Sequence, residues 1–126
     1  CQLNNRGYKN NYDEVTSAGA SLGYNGLLDY ANWNTYIDEH VQLAYDLHTI
    51  NEIIIIIHED CGAYKAQYGD ASYNLQKHYD NIKLCTDTLW TKFNSETGTI
   101  IKIPNLKIIG YIISLNGCKL TELYKL

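Results

Sequence analysis

The chain has 126 residues, with 14 acidic and 10 basic side chains and a formal net charge of −4. That length suits one domain with a hydrophobic core and is too short for two independent ones. The basic residues are scattered, so the sequence lacks the electrostatic footprint of a nucleic-acid-binding protein. No apolar stretch reaches the roughly 20 residues of a membrane span, and no secretory leader is recognisable. We therefore expect a soluble, cytoplasmic protein that binds neither nucleic acid nor membrane.

The chain starts with Cys1 and contains no methionine. A translated chain begins with Met, so we expect residues 1–126 to form a single domain that lacks some upstream residues. The four cysteines suit a disulfide framework only in an oxidising compartment, and nothing else here is typical of a small secreted scaffold. Metal ligands or free thiols are the better interpretation. Cys85 is expected to be a packed core thiol, and Cys118 to be incidental.

The N-terminal part of the chain predicts a loop, a short strand and a turn of small residues. Residues 1–11 are polar and rich in Asn, Gly and Tyr, which is typical of a loop. Residues 14–17 predict a short strand. The tripeptide Ala18-Gly19-Ala20 begins a turn in which backbone can approach a ligand closely. That turn is a candidate wall of a site.

Two amphipathic helices are predicted from apolar residues at helical spacing. The first covers about residues 32–48. The second has apolar positions between residues 75 and 93, with Asp70 or Ser72 as its N-cap and an end near Asn94. The histidines on these helices are expected to be solvated or capping residues, and they are His40, His48 and His78.

A run of five isoleucines at residues 53–57 is the most informative segment. Because five consecutive β-branched apolar residues cannot alternate between core and solvent, they predict a strand buried on both faces inside a parallel sheet. Residues 106–115 predict the next parallel strand. Asn116-Gly117 is a strong hairpin signal, so residues 119–126 should return antiparallel as an edge strand. This order of elements indicates an α/β fold with a mainly parallel central sheet and an antiparallel edge hairpin.

His58 and Cys61 directly follow the isoleucine run. Open α/β sheets bind ligands at the carboxyl ends of their strands. An imidazole and a thiolate three residues apart suit a soft tetrahedral cation such as zinc, which needs three or four ligands. Cys1 is the candidate for the third ligand, because a cysteine at the end of one parallel strand can reach the end of its neighbour. The alternative is that Cys1 is a terminal residue that binds nothing.

These residues give the chain a resemblance to the β-class carbonic anhydrases. Cys1, His58, Cys61 and Gly62 match that family's pattern, a cysteine followed by a His-x-x-Cys pair and a glycine, in type, order and approximate separation. The Ala18-Gly19-Ala20 turn corresponds to an Ala-Gly segment that lines the family's site. The likeness is strongest to the compact carbonic-anhydrase-like members, and it extends to residues 43–48, 58–65 and 110–117.

The resemblance implies a three-layer β-carbonic-anhydrase-like fold, a Zn²⁺ cofactor and the reversible hydration of carbon dioxide to bicarbonate. Zinc lowers the pKa of a bound water and yields a hydroxide that can attack carbon dioxide. Backbone N–H groups near Gly19 and Gly62 are expected to bind substrate, Arg6 to orient the oxyanion as the catalytic candidate, and Asp60 to support the site. The family also implies a homodimer or a higher homo-oligomer. Carbon disulfide and carbonyl sulfide stay open as alternative substrates.

The residues after Cys1 depart from the family pattern. The family places Asp two positions and Arg four positions after its first cysteine, a pair that controls access to zinc, whereas this chain has Leu3 and Asn5 there. Asn4 and Arg6 stand one place later, so either the loop contains an additional residue or the pair is degraded. An Asn side chain cannot supply a carboxylate charge. Two alternatives to an active enzyme therefore stay open, a non-catalytic zinc protein on the same fold and a metal-free α/β interaction module.

Overall fold

The structure, a computed structural model, describes residues 2–27, 32–70, 74–116 and 119–126. Three strands of this part form one sheet, in the order β1 (Glu52–His58), β2 (Lys107–Ile113) and β3 (Leu120–Lys125). β1 and β2 are parallel, and β2 and β3 are antiparallel. The helices are α1 (Gln2–Asn5), α2 (Ser21–Tyr24), α3 (Trp33–His48), α4 (Gly62–Tyr68) and α5 (Leu75–Phe93). The chain is therefore α/β in class, with a mixed sheet.

The register of the sheet follows the predicted strands. β1 aligns with β2 so that Ile53 is opposite Ile108 and His58 is opposite Ile113. The β-branched residues of both strands suit this pleated, partly buried surface. The predicted second strand and the antiparallel edge strand are both confirmed, although Gly117 of the hairpin signal lies outside the described residues.

The isoleucine strand lies at the edge of the described sheet and not inside it. In the described part of the chain β1 pairs with β2 alone, so the prediction of an interior strand is wrong there. Ile55 and Ile57 are buried, whereas Ile54 and Ile56 are half-buried. A run of isoleucines indicates that both faces of a strand are apolar, but it carries no information on how many strands flank it.

The main core lies between the sheet and helices α3 and α5. Ile55 of β1 and Ile108 of β2 pack in one cluster with Leu89 and Phe93 of α5 and Val41 of α3. Burying such a side chain contributes about 1.5–3 kcal/mol. The predicted ranges of both helices are confirmed. The prediction succeeded because residues at helical spacing form one apolar stripe that the sheet covers. None of the described helices is long and apolar enough to cross a membrane.

Helix α5 packs closely against the sheet at Gly110. A Cβ atom built on Gly110 would lie 2.2 Å from Cγ2 of Ile82, far inside van der Waals contact. The missing side chain lets Ile82 pack in a second cluster with Ile57 and Ile112. Because Ile57 precedes the last residue of β1, this cluster supports the carboxyl end of the strand.

The N-cap of α5 differs from the prediction. Asn74 takes that position, and its Oδ1 accepts a hydrogen bond from the backbone N–H of Gln76 at 2.8 Å. This is the usual geometry of an asparagine N-cap. The predicted Asp70 is not the cap, because the helix begins only at Leu75, its first apolar position, and Ser72 lies outside the described residues.

Residues 14–17 do not form the predicted strand. They have no regular secondary structure, and Val15 is 37% exposed. So short a segment is stable as a strand only when a neighbouring strand supplies ladder hydrogen bonds, and the described sheet pairs no strand with it. The segment before it is instead tied to helix α3, since Oδ2 of Asp13 lies 2.8 Å from Nδ1 of His48.

The N-terminal segment contacts two strands of the sheet. The hydroxyl of Tyr8 donates a hydrogen bond of 2.6 Å to Oε2 of Glu52, at the start of β1. The guanidinium of Arg6 lies over the ring of Tyr111, 5.1 Å from its centroid. The residues that follow the predicted ligand Cys1 are thus anchored to both parallel strands.

Candidate metal and substrate site

A pocket of about 260 Å³ lies at the carboxyl end of β1. It is smaller than the roughly 300–1,000 Å³ of sites for drug-sized ligands, so it suits a small molecule. One wall is the predicted turn of small residues, and the other is the end of β1 with the beginning of α4. Its lining residues are 17–20, 56–58 and 61–63.

His58 is the last residue of β1 and is exposed. Its Nδ1 lies 2.8 Å from the carbonyl oxygen of Glu59. Because a carbonyl oxygen can only accept, this hydrogen bond favours the tautomer with the proton on Nδ1, and in the neutral imidazole Nε2 then has the free lone pair. Histidines that bind metals are commonly oriented by a backbone carbonyl in this way. His58 therefore presents Nε2 as the atom suited to a metal.

Cys61 is the N-cap residue of α4 and is 6% exposed. Its thiol is free and packs with Leu22 and Tyr64. The chain passes from β1 to α4 through a tight turn in which Asp60 has φ 54°, a left-handed conformation that Asp tolerates better than most residues. This turn brings His58 and Cys61 to the same pocket. An imidazole and a thiol together favour a soft cation.

The predicted third ligand, Cys1, lies outside the described residues, as does Cys118. Within the part that the structure describes, no group of three His, Cys, Asp or Glu side chains is arranged to hold a metal ion. The two described ligands of the predicted set are therefore His58 and Cys61. Cys85 is a core thiol as expected, 3% exposed, and burial raises its pKa to about 12.

Both glycines predicted to bind substrate line the pocket. Gly19 has φ +69°, and a Cβ atom there would lie 3.0 Å from Cβ of Leu22 and 3.1 Å from Cβ of Ala63. The turn thus packs tightly against the start of α4, in a conformation that favours glycine. A Cβ atom on Gly62 would meet no atom within 4 Å. Gly19 is needed for the shape of the wall, whereas Gly62 leaves open space beside the pocket.

Arg6, the predicted catalytic residue, is not one of the residues described as lining the pocket. It stacks on Tyr111, whose neighbour in the parallel pair is the lining residue Ile56. A cation–π contact of this kind contributes about 0.5–1 kcal/mol at an exposed site. Arg6 is therefore placed one strand away from the pocket, and its orienting role stays a prediction.

Behind the pocket lie three residues to which sequence analysis gave no role in the site. The hydroxyl of Tyr64, on the fully buried side chain, shares a hydrogen bond with Oγ of Ser21 at 3.3 Å. Its ring stacks on the imidazole of His78 with centroids 4.2 Å apart. Burial raises the pKa of Tyr64, which keeps its hydroxyl neutral. His78 is 3% exposed, so the prediction that it is solvated or capping is wrong.

A signal for His78 was present in the sequence. It precedes Ile82 by four residues, and residues at that spacing share one face of a helix. Tyr64 likewise follows Cys61 by three residues, which places both on one side of a helix once α4 is assigned. The contact with Ser21 had no signal, because it joins distant parts of the chain.

Two proteins of Rickettsia are similar to this chain. An uncharacterized protein of Rickettsia conorii is 28% identical over 118 residues, which cover 88% of this chain and 56% of that protein. An uncharacterized protein of Rickettsia bellii is 28% identical over 115 residues, which cover 88% of this chain and 64% of that protein. The chain therefore spans less than two thirds of the length of these relatives. No protein-family model and no solved structure matches it.

Proposed function

We propose that the chain is a zinc-binding protein of the β-carbonic-anhydrase type that reversibly hydrates carbon dioxide to bicarbonate. The observation that supports this function is the composition of one pocket. It gathers the turn at residues 18–20 with His58, Cys61 and Gly62, and the family resemblance assigns these same two segments to one site. A His-x-x-Cys pair that arose by chance would have no reason to adjoin that turn.

The donors present fit zinc. His58 offers Nε2 because its Nδ1 is engaged by the backbone, and Cys61 offers a free thiol at the same pocket. Catalytic zinc sites use three protein ligands of these types, and Cys1 is proposed as the third. When bound, zinc acts as a Lewis acid that makes water a nucleophile at neutral pH.

The remaining lining residues suit a small uncharged substrate. The lining includes the apolar residues Ile56 and Ile57 and the small residues Ala18 and Ala63. An apolar surface with few polar groups is typical of a site that binds a compact ligand and limits the access of water. Carbon dioxide fits this description, as do the linear molecules carbon disulfide and carbonyl sulfide.

The proposal extends to the size of the sheet and to the oligomeric state. In the described sheet one edge of β1 is unpaired, and the strand has neither Lys nor Pro to block the addition of another strand. This supports a larger, mainly parallel sheet of the three-layer β-carbonic-anhydrase type. We also propose a cytoplasmic homodimer or higher homo-oligomer, as the resemblance implies.

A second candidate function is that of a zinc protein on the same fold without catalysis. It is favoured by Leu3 and Asn5 at the positions of the family's Asp and Arg, and by the placement of Arg6 on Tyr111. Such a protein would bind zinc stoichiometrically and lose thermal stability on chelation, because metal binding and folding are coupled. A metal-free interaction module, in contrast, would retain no zinc at all.

Stopped-flow measurement of carbon dioxide hydration tests the proposal. We expect the zinc-loaded protein to exceed the rate in buffer, and we expect His58→Ala and Cys61→Ser to abolish the excess. His48→Ala is the matched control, because His48 lies on α3 outside the pocket lining. A rate equal to that of buffer with zinc bound would contradict catalysis and favour the second candidate. Absence of zinc in elemental analysis would favour the metal-free module.

A further inference from the structure

We infer that Tyr64 is a positioning residue that sets the separation of the two walls of the pocket. The inference concerns the shape of the pocket, whatever the pocket binds. Only the measurement of KM and kcat in its test rests on the proposed function. Tyr64 connects three helices, since it belongs to α4 and contacts residues of α2 and α5.

The first wall is held through Ser21. Ser21 follows the lining residues Gly19 and Ala20 directly, begins α2 and is 1% exposed. Its hydroxyl shares the 3.3 Å hydrogen bond with the hydroxyl of Tyr64. Among the described side chains, this hydrogen bond directly joins α2 to α4, the helix that Cys61 caps. A movement of α2 away from α4 would break it.

The second wall is held by the ring of the same tyrosine. It packs against Cys61 and Leu22 in one buried cluster, and it stacks on His78 of α5. Helix α5 is fixed to the sheet by its own core contacts. The Tyr64 ring therefore rests on a rigid support, while its hydroxyl extends to the wall that carries Gly19.

The described contact of Gly19 with the other wall is apolar. The close approach of Gly19 to Leu22 and Ala63 is van der Waals packing, which resists compression but does not prevent separation. The hydroxyl pair adds an attraction at a fixed distance. A displacement of about 1 Å at a site can reduce a reaction rate by about 100-fold, so a defined wall separation matters for any small substrate.

Tyr64→Phe tests this role, because it removes the hydroxyl and keeps the ring on His78. The matched control is Tyr68→Phe, one turn later on α4, whose hydroxyl accepts a hydrogen bond from Asn81 of α5 instead of the pocket wall. The readout is the alkylation rate of Cys61 by iodoacetamide in metal-free protein, measured for each cysteine by peptide mass spectrometry. Cys85 serves as an internal monitor, since it is buried and reacts only when the core opens.

We expect Tyr64→Phe to raise the alkylation rate of Cys61 by about 3- to 10-fold, because it removes one hydrogen bond. Cys85 should stay unreactive. Ser21→Ala should give a similar increase, and the double variant should equal the single ones because both act through one contact. In the zinc-loaded protein we expect KM for carbon dioxide to rise more than kcat falls, since His58 and Cys61 are not on α2.

Three alkylation results would overturn the inference. One is an unchanged alkylation rate of Cys61 in both Tyr64→Phe and Ser21→Ala. Another is an equal increase in Tyr68→Phe, and the third is a parallel increase at Cys85, which would indicate general loss of stability. Because alkylation needs neither zinc nor turnover, it can support the positioning role even if no carbon dioxide hydration is found. Conversely, hydration by Tyr64→Phe with an unchanged KM would leave the proposed function intact and contradict the inference.

Discussion

Lys92 of α5 and Asp38 of α3 form an ion pair with Nζ 2.5 Å from Oδ2. The hydroxyl of Tyr24 donates a hydrogen bond to the other carboxylate oxygen at 2.7 Å, and Nζ of Lys92 donates to that hydroxyl at 3.1 Å. Tyr24 is the last residue of α2, the helix that follows the pocket wall. The network therefore fixes α2 to the two long helices. Burial, together with the hydrogen bond to Asp38, raises the pKa of Tyr24 and keeps it neutral.

Loss of the Lys92 cation should destabilise the protein much more than loss of an exposed one. Lys92→Met leaves the Asp38 carboxylate, 11% exposed, without its cation. Removing one partner of such a pair costs about 2–4 kcal/mol, near the range for buried pairs. Lys83→Met breaks an exposed pair with Asp87 and should cost much less, because solvent screens that pair. Urea unfolding of both variants provides the comparison, and equal losses would show that the α2 network is as weak as a surface ion pair.

His58→Ala should weaken zinc binding by more than about 100-fold, because loss of a ligand exceeds the 10- to 100-fold effect of losing a residue that only orients one. His48→Ala removes an exposed imidazole of the same size, paired with Asp13 on another part of the chain. It should leave the zinc affinity unchanged. Competition titration with a chromophoric chelator measures both affinities. Similar affinities for the two variants would remove His58 from the ligand set.

The two pocket glycines should respond oppositely to alanine. Gly19→Ala introduces a Cβ atom at φ +69°, 3.0 Å from Leu22, and should destabilise the protein by about 1–3 kcal/mol. Gly62→Ala meets open space at the first turn of α4, where alanine favours the helix by up to about 1 kcal/mol. Thermal unfolding of the two variants measures the difference. A loss of stability in Gly62→Ala would show that the space beside the pocket is not open.

Tyr8→Phe should lower stability by about 1 kcal/mol, through loss of its hydrogen bond to Glu52. That hydrogen bond raises the pKa of Tyr8 from 10.0 to about 12. Because the folded pKa lies above the unfolded one, this contribution is fully present below about pH 10 and is lost as the pH rises towards 12. The difference in unfolding free energy between wild type and Tyr8→Phe should therefore shrink above pH 10. Urea unfolding at pH 8 and at pH 11 checks the sign, and a difference that grows with pH would contradict it.

The long elements and one pocket wall could be predicted from the sequence because their signals are local. Apolar residues at helical spacing predicted α3 and α5, and the hairpin signal predicted the antiparallel return of β3. The Ala18-Gly19-Ala20 turn was expected to form a wall, and the structure places it beside His58 and Cys61. In each case the residues that determine the local structure lie within one short stretch of the chain.

The features that were missed depend on neighbours distant in sequence. Whether the isoleucine strand has one partner or two is decided by the rest of the sheet. His78 is buried against Tyr64, and the hydrogen bond between Tyr64 and Ser21 joins two short helices, α2 and α4, neither of which was predicted. Helix α4 spans seven residues and starts with Gly62, so its periodicity is too brief to be distinctive.

X-ray absorption spectroscopy at the zinc edge tests most directly whether His58 and Cys61 hold zinc together with Cys1. We expect two sulfur neighbours at about 2.3 Å and an imidazole nitrogen at about 2.0–2.1 Å. Cys1→Ser and Cys61→Ser should each remove one sulfur, and His58→Ala should remove the imidazole signal. A first shell of nitrogen and oxygen alone, or a protein that retains no zinc, would contradict the proposed site.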